Sequence, residues 1–191
     1  HPVLSSVSHD RERQLQVFQK MLAFTSFISF PVMLGLGFVA EELILVTIKE
    51  KWLPCVPIMQ LLCISGAFVP INDLHKQLVI SKGKSNIYLW NTVIMSMALL
   101  VGALGSYTYG IIPMVVVYVV LSICWLFVWY YFVSKEIDLT LTGLLMNILP
   151  YAFATIVTIL LSWYITEGIT NLYWLLVAKI STSVVIYICI L

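Results

Sequence analysis

The stretch IIPMVVVYVVLSICWLFVWYYFV, residues 111–133, decides the fold. It contains no charged residue, and its polar side chains do not alternate with its apolar ones. As a helix rising 1.5 Å per residue it reaches about 34 Å, enough to cross a hydrocarbon core of about 30 Å. A barrel strand would instead alternate over about 10 residues. Inside lipid each backbone N–H and C=O must find a partner within the protein, and a helix supplies those partners itself. The stretch therefore predicts a transmembrane helix.

Working outward, six segments reach spanning length: 23–48, 56–81, 88–107, 111–133, 146–166 and 172–191. The expected fold is all-α, a polytopic membrane helix bundle. Composition agrees: 10% of residues are charged and 61% hydrophobic, whereas soluble domains carry about 25% charged residues. Mean hydropathy is +1.02. A net charge of +1 gives no electrostatic reason to expect a nucleic-acid partner. Cys55, Cys63, Cys124 and Cys189 show no C-x-x-C spacing, and three lie in apolar runs, so neither a disulfide framework, a metal site nor a cofactor is expected. The chain opens on His1-Pro2 and ends on Ile190-Leu191 within an apolar run, so both ends look cut from something longer.

Sidedness follows from the loops. Arg11, Arg13, Lys20, Lys82, Lys84 and Lys135 fall on one side and only Lys49 and Lys51 on the other, which predicts both chain ends in the cytoplasm. Aromatic residues give a second signal. Trp90, Trp129, Tyr130 and Tyr131 are expected at the inner interface, and Trp52, Tyr107, Tyr109, Trp163, Tyr164 and Trp174 at the outer one. Residues 1–22 form a cytoplasmic segment. Within it, residues 7–22 set Leu15, Phe18 and Leu22 at helical spacing beside Asp10, Arg11, Glu12 and Arg13, which fits either an amphipathic helix or a solvated loop leading into the first span.

Polar residues inside the spans are the candidates for function. Asn72, Asp73, His75, Lys76 and Gln77 crowd one turn and a half of the second span. Asp73 lies about 13 Å and Lys76 about 9 Å from the Lys82 end. A charge facing lipid at depth costs about 2.5–3.5 kcal/mol on insertion scales, so the cluster should face protein or water. Asn72, Asp73, Lys76 and Gln77 stand three or four residues apart and share a side, with His75 on its flank. Three readings stand open: the wall of a hydrated cavity, a structural ion pair, or a proton or cation coupling site at Asp73 or His75. Pro70 frees the carbonyl of Gly66 and favours unwound backbone there. Pro31 likewise should bend the first span near Phe27, as a packing kink or a hinge, while Gly35 and Gly37 allow a close neighbour. Lys179 is expected to snorkel outward from about 7 Å inward of Trp174, with a cavity role as the alternative, and Glu41 and Glu42 to be solvated at the outer face. Neither a catalytic Ser/His/carboxylate set nor a phosphate-binding glycine loop is visible, and His1, His9 and His75 are scattered.

Residues 30–71, FPVMLGLGFVAEELILVTIKEKWLPCVPIMQLLCISGAFVPI, together with HPVLSSVSHDRERQ before them and Lys82-Gly83-Lys84-Ser85-Asn86 after them, carry a family resemblance. The matching features are Asp10-Arg11-Glu12-Arg13, Pro31, Ala40-Glu41, Glu50-Lys51-Trp52 and Gly83, in that order. As a set they resemble the C-terminal half of bacterial polysaccharide flippases, the lipopolysaccharide or O-antigen branch of the multidrug/oligosaccharidyl-lipid/polysaccharide exporter superfamily. The resemblance covers about the first half of the chain; beyond it only the number and spacing of spans agree. Glu42 stands where the family often has proline, and Asp73, His75 and Lys76 are not a general family signature.

The resemblance implies the C-terminal part of a larger transporter in the bacterial inner membrane, with an N-terminal half of the same chain as partner. It implies a non-enzymatic flippase that moves polyprenyl-pyrophosphate-linked oligosaccharide repeats, among membrane lipids and alongside polysaccharide polymerase machinery. A cavity would then offer hydrogen bonds to hydroxyls and charge to pyrophosphate, roles that suit Asn72, Lys76 and Gln77. The alternative within the superfamily is a cation-coupled multidrug exporter using Asp73 as coupling carboxylate. A glycan polymerase or ligase would need a long outward loop, and the segments 49–55, 108–110 and 167–171 are short.

Overall fold

The computed structural model describes residues 11–169 and 171–190. His1, His9 and the first part of the 7–22 segment lie outside the described residues. The helices are α1 (Arg11–Phe38), α2 (Ala40–Thr47), α3 (Val56–Ser81), α4 (Ser85–Ser106), α5 (Ile111–Ile137), α6 (Leu141–Met146), α7 (Leu149–Thr166) and α8 (Leu172–Ile190). Among the described residues six helical segments are long and apolar enough to cross a membrane. The chain is an all-α, multi-pass membrane bundle.

The first expected span divides. α1 runs without a break from Arg11 past residue 22 to Phe38, and a second helix, α2, follows after Val39. Gln14, Phe18 and Leu22 form the buried stripe of its first turns, with Leu15 half-buried at the edge. The expected outer loop at 49–55 is largely a 3-10 helix, Glu50–Cys55. Local chemistry fixes the other ends. Prolines stand in the first turns of α3 and α7, where the missing N–H has no intrahelical partner to lose. The Thr140 hydroxyl accepts from the Gly143 N–H and caps α6. Gly83 takes φ +74° in the turn between α3 and α4, a conformation that favours glycine.

α1, α3 and α5 pack side by side as the centre of the bundle; α4 leans on α5 and α3, and the α7/α8 pair on α1. Small residues set the close approaches. A Cβ on Gly37 would meet Cys63 Cβ at 3.2 Å, and one on Gly102 would meet Val117 Cγ1 at 2.7 Å, so α1 and α3, and α4 and α5, come together there. Gly35, in contrast, faces open space.

One end of the bundle is tied by polar contacts. Arg11 meets Asp138 at 3.5 Å, Lys84 pairs with Glu136, and Lys82 Nζ donates to Gln14 Oε1 at 2.6 Å. Of these contacts, the exposed Arg11–Asp138 pair adds at most about 1 kcal/mol. Together they show that residues 11–14, 82–84 and 136–138 share an end, the grouping on which the charge count rests. The main buried cluster includes Phe18, Leu22, Leu78, Trp129 and Val133. Trp129 is a correction: expected at a membrane interface, it is only 1% exposed, packed in this core. Trp90, Tyr131, Trp52, Tyr107, Trp163 and Trp174 are exposed, as belt residues are.

Candidate functional site

The polar cluster rides on α3, which continues as a helix through Pro70. The unwinding expected there is absent. Beside the carbonyl that Pro70 leaves without its N–H, the next carbonyl, Ala67 O, accepts from the Ser29 hydroxyl of α1 at 2.9 Å, so a neighbouring helix supports the backbone at this point.

The five candidates sit in different surroundings. His75 is fully buried, its ring edge-on to Phe18 of α1 with centroids 5.2 Å apart, and its Nδ1 sits 2.7 Å from the Ile71 carbonyl of its own helix. Lys76 Nζ binds Asp73 Oδ1 at 2.8 Å, with side chains 33% and 50% exposed. Gln77 is half-buried. Asn72 is buried and points across to α5, donating from Nδ2 to the Ser122 carbonyl at 3.4 Å. Lys76 is thus held by Asp73 and also lines a cavity with Asn72.

That cavity, about 250 Å³ between α3, α4 and α5, is lined by Asn72 and Lys76, by Thr92 and Ser96 of α4, and by Ser122 and Trp125 of α5. Tyr118 and Trp129 complete its α5 wall. The Thr92 and Ser96 hydroxyls donate to carbonyls of their own helix at 2.8 and 2.9 Å, so toward the cavity they can only accept. Two buried atoms of the lining residues have no hydrogen-bond partner in the protein: Asn72 Oδ1, an acceptor, and Trp125 Nε1, a donor. Leaving such a group unmet costs about 1–3 kcal/mol. The residues of α4 and α5 were missed by inspection of the second span alone. Their signal was present as spacing: 92 and 96 are four apart, and 118, 122, 125 and 129 trace one stripe of an otherwise apolar span.

Pro31 has a counterpart at the other end of the chain. Its absent N–H leaves the Phe27 carbonyl without an intrahelical donor, and the Tyr187 hydroxyl of α8 donates to that oxygen at 2.8 Å. Phe27 also stacks between Tyr151 and Tyr187, with ring centroids 6.0 and 5.6 Å away. A cavity of about 260 Å³, lined by Pro31, Gly35, Thr158 and Ser183, lies alongside. Tyr187→Phe keeps the ring and removes the donor. It should lower the stability of the full-length protein by about 1 kcal/mol, the usual size of one interhelical hydrogen bond in a membrane, measured by denaturation in mixed micelles.

Glu42 and Lys179 are the clearest corrections. Glu42, expected in solvent, and Lys179, expected to reach the outer interface, are 8% and 12% exposed and form an ion pair with an N–O distance of 2.5 Å between α2 and α8. The break at Val39 and the packing of α2 on α8 turn Glu42 inward, where Lys179, which also lies 4.6 Å from the Phe38 ring centre, meets it. Glu41, next to it, is exposed as expected.

Residues 1–57 match the family described as polysaccharide biosynthesis protein. Over those residues the chain is similar to that family. An uncharacterized membrane protein in the cps region of Klebsiella pneumoniae is 38% identical over 86 residues, 45% of this chain and 18% of that protein. The lipopolysaccharide biosynthesis protein WzxC of Escherichia coli (strain K12) is 29% identical over 86 residues, again 45% and 18%. The chain thus matches less than a fifth of either curated relative. In three dimensions, the lipid II flippase MurJ in its inward closed conformation superposes with a TM-score of 0.78 over 98% of this chain and 40% of its own, at 17% sequence identity. At that identity the likeness is one of fold, and it runs through α4 to α8.

Proposed function

We propose that the full-length protein is a flippase that moves polyprenyl-pyrophosphate-linked oligosaccharide repeats from the inner to the outer leaflet of a bacterial inner membrane, for surface polysaccharide biosynthesis. The observation that carries this reading is a cavity between α3, α4 and α5 with Asn72, Lys76, Thr92, Ser96 and Ser122 among its lining residues, within membrane-spanning helices. A sugar headgroup needs hydrogen-bonding partners at membrane depth while its polyprenyl tail stays in lipid. Relatives of the first half of the chain that are named for lipopolysaccharide and polysaccharide biosynthesis support the choice of cargo. The end tied by Arg11, Lys82 and Lys84 faces the cytoplasm in this reading. Transport of this kind breaks no covalent bond, so no catalytic residue is assigned. The N-terminal half of the chain and the polymerase machinery are the partners it requires.

Lys76→Ala in the full-length protein should lower surface glycan several-fold while protein level holds, with lipid-linked repeats accumulating on the cytoplasmic side. Unchanged glycan would remove Lys76 from the path. The exporter alternative makes a different demand: export of small cationic drugs that depends on sodium or protons and is lost in Asp73→Asn. Against it stands the engagement of the Asp73 carboxylate with Lys76.

A further inference from the structure

We infer that α2 is a movable strap at the end of the bundle opposite the tied one: the Glu42–Lys179 pair fastens it to α8, and it swings clear about breaks in the chain at Val39 and Lys49. The inference concerns motion and not cargo, so it stands apart from the transport reading.

Backbone geometry sets the two breaks. α1 stops before Val39, whose ψ of 9° lies outside the helical range, and no side chain caps α2 there. At the other end Lys49 takes φ 74° and ψ 176°, a region that glycine alone enters without strain. Two hydrogen bonds hold it: the Lys49 N–H donates to the Ile44 carbonyl at 3.0 Å, and the Lys49 carbonyl accepts from the Trp52 N–H at 3.2 Å. Strain of this kind persists only where the surroundings over-determine it, and it gathers at switch regions.

Packing leaves α2 outside the main core. Ala40 and Ile44 bury against Val56, with Leu53, Cys55 and Met59 around them, in a small cluster of their own. No residue of α2 belongs to the main cluster. Toward α8, the buried polar link is Lys179 Nζ to Glu42 Oε1 at 2.5 Å. Glu42 Oε2 is buried without a hydrogen-bond partner, so the carboxylate is half satisfied and gains a partner when it withdraws to water.

There is also room to move. A cavity of about 230 Å³ lies at the hinge, lined by Gly35, Leu36 and Val39 on one side and by Lys179 and Ser183 of α8 on the other. A Cβ built on Gly35 would meet nothing within 4 Å. The fastened state thus holds a strained residue, a half-met buried acid and unfilled space, all of which release relieves. The ion pair offsets them, and two states of similar free energy are the condition for a hinged switch.

The test uses the full-length protein in lipid nanodiscs, with its other cysteines replaced and spin labels on cysteines introduced in pairs. Distances are read by pulsed electron resonance. One pair joins Glu41 on α2 to Tyr109 and the other joins Tyr173 on α8 to Tyr109, all exposed and at the strap's end of the bundle. Glu42→Gln should add a second Glu41–Tyr109 distance, or raise its share several-fold, and leave Tyr173–Tyr109 unchanged. Glu42→Gln with Lys179→Met, which strands no charge and so keeps the fold, should do the same. Exchanging the pair, Glu42→Lys with Lys179→Glu, should restore the single distance. Lys49→Gly relieves the backbone without touching the pair, so added to Glu42→Gln it should shrink the second population several-fold. One unchanged Glu41–Tyr109 distance in the single and double neutral variants would overturn the strap. Equal shifts of both label pairs would overturn it too, since α8 would then be moving. A second population that Lys49→Gly leaves undiminished would overturn Lys49 as a hinge.

Discussion

Lys179→Met in the full-length protein is expected to lower the free energy of unfolding by about 3–5 kcal/mol, because it strands the Glu42 carboxylate in a buried position. Denaturation in mixed micelles measures this, and the folded yield should fall with it. The value lies in the removal of one partner, not in the pair as such. A buried pair gives back in mutual attraction much of what its two charges lose in hydration, so replacing both with neutral groups of similar size can be nearly harmless. Glu42→Gln combined with Lys179→Met should therefore recover most of the loss, and the two changes should be strongly non-additive. Additive losses would show that the two side chains do not act as a pair.

Trp129→Ala should produce the second large effect, about 3 kcal/mol. The side chain is 1% exposed and packs with Leu126, Val133 and Tyr88, the last at a ring separation of 6.3 Å. Truncating a buried Trp in a water-soluble core costs about 3–5 kcal/mol. Here the lower end applies, since lipid is itself apolar and the loss is mainly of packing contacts. Trp129 also lines the α3/α4/α5 cavity, so the variant should lose transport as well as stability. Trp129→Phe should restore stability more fully than transport. A loss of less than about 1 kcal/mol in Trp129→Ala would place the residue outside the core.

The architecture was legible in the sequence because its signal is collective. A run such as residues 111–133 sums many apolar choices, and no single tertiary contact reverses the outcome; α5 indeed covers it. Pro31 was legible too, since a missing N–H is a property of the residue. What answers it was not. Tyr187 lies 160 residues away and looks like any other tyrosine in an apolar span. Glu42 and Lys179, 137 residues apart, were read singly, and a lone charge near a helix end reads as solvated. Only the packing of α2 on α8 makes them a pair. The same holds for the polar turn on α3. Its composition was plain, but its division into an inward His75, a paired Lys76 and Asp73, and an Asn72 aimed at α5 depends on which helices surround it. Trp129 was misplaced for a related reason: an aromatic residue near the end of a span fits a belt or a core equally well, and the neighbours decide.

The hydrogen bond from Tyr187 to the Phe27 carbonyl also bears on synthesis. The acceptor is made early and its donor 160 residues later, which at roughly 5–20 residues per second leaves an interval of about ten to thirty seconds. Through that interval α1 stands in the membrane with one carbonyl that its own segment cannot satisfy. α8 thus completes the backbone of α1, a helix made 160 residues before its donor.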